Sequence, residues 1–128
     1  GGGRRFTLPI AAHFADWWNC PTYAVDRLAE LIPLARPAQV SVQHVVGLAS
    51  SRAGREEVVA EAERRFGGWG GLVAGTPQEV ADALNAEIDL GVEMFICQFA
   101  DFGTAKSLRL FAREVLPALK SPDRVAFA

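Results

Sequence analysis

The chain has little with which to hold a metal or close a covalent framework. Its 128 residues include two cysteines and two histidines. Cys20, Cys97, His13 and His44 show no CxxC or other ligand spacing. A zinc site and a disulfide scaffold are therefore not expected. The cysteines fall in apolar, strand-like runs and read as buried free thiols of a reducing cytoplasm. No apolar run approaches the roughly 20 residues of a membrane-spanning helix. An excess of positive charge is missing as well. Thirteen Lys and Arg stand against 15 Asp and Glu, a net charge of −2, so neither a nucleic-acid nor a polyanion partner is implied. No nucleophile–base pair or paired-carboxylate spacing stands out.

What the chain has in quantity is apolar residues. They make up 50% before its 12 glycines are counted, against about 45–50% with glycine included in typical domains. The length suits one domain with a real core, residues 1–128, of which 120–128 read as a loosely ordered tail. A small domain this apolar is expected to hide surface against something else. The run Gly1-Gly2-Gly3-Arg4-Arg5-Phe6-Thr7 is a glycine turn leading into a helix. Glycines let the backbone approach an anion, helix-start N–H groups favour negative charge, and two arginines add charge-assisted hydrogen bonds. A flexible terminus is the competing reading.

Thr7 is expected to cap a helix over about 8–16. Asp16 to Pro21 reads as a short buried strand, and Thr22 starts a helix to about Ala35 that Pro33 and Pro37 close. Gln39 to Leu48 is the clearest strand, since Val40, Val42, His44 and Val46 alternate with Ser41, Gln43 and Val45. A charged helix follows to about Phe66, then a flexible turn at Gly67–Gly71. Thr76-Pro77-Gln78-Glu79 is a capping box with proline in the first helical position. Its helix stops at Gly91. A second buried strand over Val92–Phe99 precedes a last amphipathic helix marked by Leu108, Phe111, Ala112, Val115 and Leu119. Strands separated by helices, and apolar on both faces, predict an α/β fold with a parallel sheet.

Four blocks in this order carry a resemblance. They are GGGRRFTLPIAAHFADWWN, the strand VSVQHVVGL, the run GGLVAGTPQEVADAL, and GVEMFICQF with SLRLFAREVLPAL. Together they resemble the luciferase-like monooxygenases, flavin- and deazaflavin-dependent (β/α)8 barrels. The resemblance implies the C-terminal half of such a TIM-type barrel, with parallel strands six to eight, flanking helices, and the strand-five position ahead of Gly1.

It further implies a cofactor, FMN or coenzyme F420. Gly1, Gly2, Gly3, Arg4, Arg5 and Thr7 would lie at its phosphate, and Trp18 or Asn19 beside the ring or phosphate. Trp17 is expected to pack in the core. His44, on an apolar face, reads as a satisfied structural residue, and His13 as surface. The chemistry would be the cofactor's. The intact parent would be an oxidoreductase, and this chain alone inactive. Bare strand edges and apolar faces predict a homodimer or a complementary half-barrel partner. The alternative is a stand-alone half barrel that self-associates as a non-catalytic structural or binding protein.

Overall fold

The computed structural model describes residues 3–120. Gly1, Gly2 and the tail beyond Lys120 lie outside the described residues. Helices and strands alternate along the chain: α1 (Thr7–Phe14), β1 (Trp17–Cys20), α2 (Leu28–Ala35), β2 (Gln39–Leu48), α3 (Arg55–Phe66), β3 (Leu72–Gly75), α4 (Pro77–Leu90), β4 (Met94–Phe99) and α5 (Ala105–Leu110). Every strand pairing is parallel, as crossover helices require. The fold is α/β with a parallel sheet, as the alternation predicts.

The sheet is organised around β2. Trp17–Cys20 pair with Gln39–Val42, Leu72–Gly75 with Val45–Leu48, and Met94–Phe99 with Ser41–Val46. Because β4 overlaps both other pairings, it must occupy the opposite edge of β2. β1 and β3 therefore lie one after the other along a single edge. The ten-residue β2 spans both, which is why it is far longer than its edge neighbours.

Register partners in a parallel sheet share a face, and successive residues alternate between faces. One face carries Trp18, Cys20, Val40, Val42, His44, Val46, Phe95, Cys97 and Phe99. Helices cover it. Leu8, Ala11, Leu28, Leu31 and Ile32 pack on its lower part, and Val80, Ala81, Leu84, Leu110 and Val115 on its upper part. The other face carries Trp17, Asn19, Ser41, Gln43, Met94, Ile96 and Gln98. Only its C-terminal end is covered, where Ala62 and Phe66 of α3 meet Val45, Leu72 and Ala74. Gly47 permits that approach, since a Cβ there would lie 3.0 Å from the Ala62 methyl. Below this contact Trp17, Met94 and Ile96 are 40%, 44% and 47% exposed.

Several local expectations need correction. Thr7 is the first helical residue and does not cap α1. Phe6 holds the N-cap position and contributes no side-chain hydrogen bond. The single helix expected from Thr22 begins as a 3-10 segment, Thr22–Arg27, and Pro33 sits inside α2 rather than ending it. The burial of Leu28, Leu31, Ile32 and Ala35 offsets what proline costs there. The last helix changes at Phe111 to a π turn through Val115 and then a 3-10 turn containing Pro117, which has no N–H to continue the α pattern.

The glycine run is not a slack turn. Gly70 and Gly71 have φ of 75° and 65°, and a Cβ on Gly70 would stand 2.8 Å from the Thr22 carbonyl oxygen. The two glycines press the chain against Thr22 and launch β3, a strand too short to declare itself by alternation.

The capping box at Thr76 is present as expected, with Glu79 returning a hydrogen bond to the Thr76 N–H. Arg55 adds two more, at 2.9 and 2.7 Å, tying α3 to α4. These bonds, Arg55 first and the Thr76 N–H next, pull Glu79 down from 4.5 to about 2. A depressed carboxylate adds stability that is complete above its ordinary value and fades as pH falls through its folded value. The difference in melting temperature between the parent chain and Glu79→Gln should therefore be constant above about pH 4.5 and shrink toward zero near pH 2. Thermal melts across that range check it, and a pH-independent difference would refute the assignment.

Candidate functional site

Parallel α/β sheets place their ligand groups beyond the C-terminal ends of the strands. Here a cavity of about 530 Å³ lies at the ends of β2 and β4. Val46, Gly47, Leu48, Val58 and Ala100 give it an apolar floor, and Arg65, Asp101, Lys106 and Ser107 stand among its polar lining. The loop after β4 is well ordered by its own chemistry. Asp101 accepts from the Thr104 hydroxyl at 2.6 Å, the Ser107 hydroxyl at 2.5 Å and the Gly103 N–H at 3.1 Å. Burial opposes its ionisation, but these hydrogen bonds hold its carboxyl below the usual range. Arg65 is fixed by Glu61 and by the Ala100 carbonyl, and its guanidinium lies over the Phe102 ring. Lys106 has no ion-pair partner among the described residues. None of these residues was singled out from sequence. The Asp101, Thr104, Ser107 spacing was the signal that could have found the loop, since it places an acceptor three and six residues ahead of two hydroxyls.

The residues predicted at the cofactor lie elsewhere, at the start of α1 and on β1. Gly3 closes the helix start by accepting from the Leu8 N–H at 3.0 Å. A Cβ on Gly3 would come within 3.2 Å of the Thr7 hydroxyl oxygen, so only glycine leaves that oxygen open. Arg4 and Arg5 are exposed. Arg4 is paired with Glu30 of α2, and Arg5 lies over the Phe6 ring. Asn19 accepts from the Ser41 hydroxyl at 2.9 Å on the open face. Trp18 is 3% exposed and packs beneath α1, whereas Trp17, expected in the core, is the indole on the open face. Alternation along β1 put the two tryptophans on opposite faces, and the helices cover the side opposite to that expected. The structure thus joins Asn19 to Ser41, and groups Arg4, Arg5 and Thr7 around one helix start.

His44 is 1% exposed on the helix-covered face. Its Nδ1 is 2.8 Å from the Gly71 carbonyl oxygen, which can only accept, so Nδ1 carries a proton. Its Nε2 is 2.6 Å from Glu87 Oε2 of α4, and one proton bridges that pair. These two bonds hold together β2, the turn ahead of β3, and α4. The ring is buried and both of its nitrogens are engaged, so the pair reads as structural, as the apolar parity of His44 predicts. Glu87, 43 residues away, could not have been named from sequence.

Cys20 and Cys97 are both free, and burial, followed by the Glu87 charge, pushes each thiol up to about 11. Neither is poised as a nucleophile. Glu87→Ala leaves the buried His44 Nε2 without a partner and should cost about 1–3 kcal/mol in urea unfolding, with Glu87→Gln costing less. An unchanged midpoint for Glu87→Ala would rule out this role.

Helices cover one face of this parallel sheet along its length, and α3 covers the second face over the strand ends. The chain is similar in structure to the coenzyme F420-dependent tetrahydromethanopterin reductase of Methanopyrus kandleri, with a TM-score of 0.64 and 16% identity. The likeness extends over 94% of this chain but only 50% of the reductase, so the chain spans about half the length of that protein. At this identity the likeness shows the fold, an α/β parallel sheet matching part of a TIM-type barrel. Neither a family model nor a curated protein matches the sequence. Among the described residues no group of three or more His, Cys, Asp or Glu could hold a metal ion, and no helix is long and apolar enough to cross a membrane.

Proposed function

We propose that this chain is part of a flavin- or deazaflavin-dependent luciferase-like oxidoreductase, to which it contributes the cofactor-phosphate side of the barrel. The observation that carries the reading is the fold likeness to an F420-dependent reductase over nearly the whole chain. The order of the four sequence blocks agrees with it.

The donor set at the start of α1 suits a phosphate. Arg4 and Arg5 are exposed cations, Thr7 offers a hydroxyl, and Gly3 leaves the space above that hydroxyl clear. Gly1 and Gly2 would extend the set with backbone N–H groups, and a bound phosphate would compete with Glu30 for Arg4. Asn19, held by Ser41 and backed by Trp18 across β1, is the polar group assigned to the ring side. The cofactor, FMN or F420, supplies the redox chemistry when bound. The chain's own residues bind and orient it, and on this reading they do not turn over substrate alone.

Titration of the purified chain with F420, FMN and riboflavin tests the proposal. A chromophore shift with F420 or FMN is expected, with riboflavin, which lacks the phosphate, binding more weakly. The Arg4→Ala/Arg5→Ala pair should lose about tenfold or more in affinity for the phosphorylated cofactor. No shift with either cofactor would remove the cofactor reading. Equal binding of FMN and riboflavin would remove the phosphate role alone.

A further inference from the structure

The cavity at the ends of β2 and β4 shares no residue with the α1 and β1 group assigned to the cofactor. It runs over the strand ends between α3, which packs on one face of the sheet, and the start of α5, which packs on the other. Six charged side chains line it: Glu57, Glu61 and Asp101 against Arg64, Arg65 and Lys106, so their formal charges cancel. Four of the six are already engaged within the fold. Glu61 pairs with Arg64 at 2.7 Å and Arg65 at 2.6 Å. Asp101 accepts from the hydroxyls and N–H of its own loop. Glu57 and Lys106 remain, and among the described residues neither makes a hydrogen bond or an ion pair. Glu57 has a local reason to stand where it does, since a carboxylate in the first turn of α3 complements the helix start. Lys106 has none. It is the second residue of α5, at the helix end that disfavours a cation. A side chain that breaks a local rule without a compensating partner in the fold is where a functional contact is expected.

We infer that this cavity binds a small zwitterion whose ammonium and carboxylate are separated by an apolar body, the chemistry of a free dipeptide with apolar side chains. The carboxylate meets Lys106, the ammonium meets Glu57, and the body lies on the apolar floor. Charge complementarity selects this class. An anion alone would satisfy Lys106 but face the unpaired carboxylate of Glu57, and a cation alone would meet the reverse. A neutral apolar molecule would leave both charges unanswered. Glu57 and Lys106 stand on elements from opposite faces of the sheet and do not pair with each other. The two charges of the ligand therefore stand apart as well. The volume of about 530 Å³ falls within the roughly 300–1,000 Å³ of small-molecule sites.

Titration calorimetry of the 128-residue chain with leucyl-leucine, its N-acetyl form and its C-terminal amide tests the inference. The free dipeptide should bind, and each capped form should bind at least about tenfold more weakly. Lys106→Met should lose about the same factor for the free dipeptide while leaving the affinity for the amide unchanged. Glu57→Gln should do likewise, with the N-acetyl form as its unchanged partner. Both side chains are exposed, so thermal melts of the two variants should match that of the parent chain. Absence of binding at millimolar dipeptide would overturn the inference. So would an N-acetyl form that binds as well as the free dipeptide, which would leave an anion site only, or an equal loss for dipeptide and amide in Lys106→Met. The dipeptide carries neither phosphate nor a flavin-type ring, so its binding stands or falls independently of the F420 and FMN titrations.

Discussion

The structure depends on one strand. β2 is the partner of every other strand, and its two edges are occupied differently: β1 then β3 along one, β4 along the other. Its residues from Val40 to Leu48 are buried apart from Gln43, which is partly so. The helix-covered side of β2 joins two core clusters, one under α1 and α2 and one under α4 and α5. Its opposite side receives α3 through Gly47. Because parallel strands cannot pair without a crossover, each edge of β2 also fixes where a helix must lie. A change in its register would reverse which side chains face the helices and which face outward.

That division of faces goes with the fold likeness to part of a TIM-type barrel. Helices pack on one side along the whole length of the sheet, while on the other only α3 intervenes, over the strand ends. The open side mixes amides and hydroxyls with Trp17, Met94 and Ile96, a surface suited to being enclosed rather than solvated. The candidate groups then fall into two places: the helix start with Arg4, Arg5 and Thr7, and the cavity where β2 and β4 end. His44, which a motif search would seize on, belongs to neither. Its two hydrogen bonds are spent on holding β2, the Gly71 turn and α4 together.

Much of the fold was legible because its signals were local. β2 showed itself by alternation, α4 by the Thr76–Glu79 box and the left-handed Gly91, and the parallel sheet by the order of elements. What escaped depended on tertiary contact. β3 has four residues and exists because Gly70 and Gly71 press against Thr22 and aim the chain along the free edge of β2. The orientation of the Trp17–Trp18 pair could not be read from parity alone, since parity separates the two indoles without saying which side the helices take. The cavity at Asp101 and Lys106 was missed because α3 and the β4–α5 loop, which enclose it, are distant in sequence. The His44 partner was missed for the same reason.

The central structural claim is that β2 is an inner strand and β4 a bare edge. Amide hydrogen exchange on the 128-residue chain tests it most directly, because each strand amide is protected only if a neighbour accepts from it. β2 should be protected continuously across Val42–Val46, since successive amides point to different neighbours. β4 should alternate, with the amides turned away from β2 exchanging quickly. Uniform protection along Met94–Phe99 would contradict the account, because it requires a further strand on an edge that this structure leaves open.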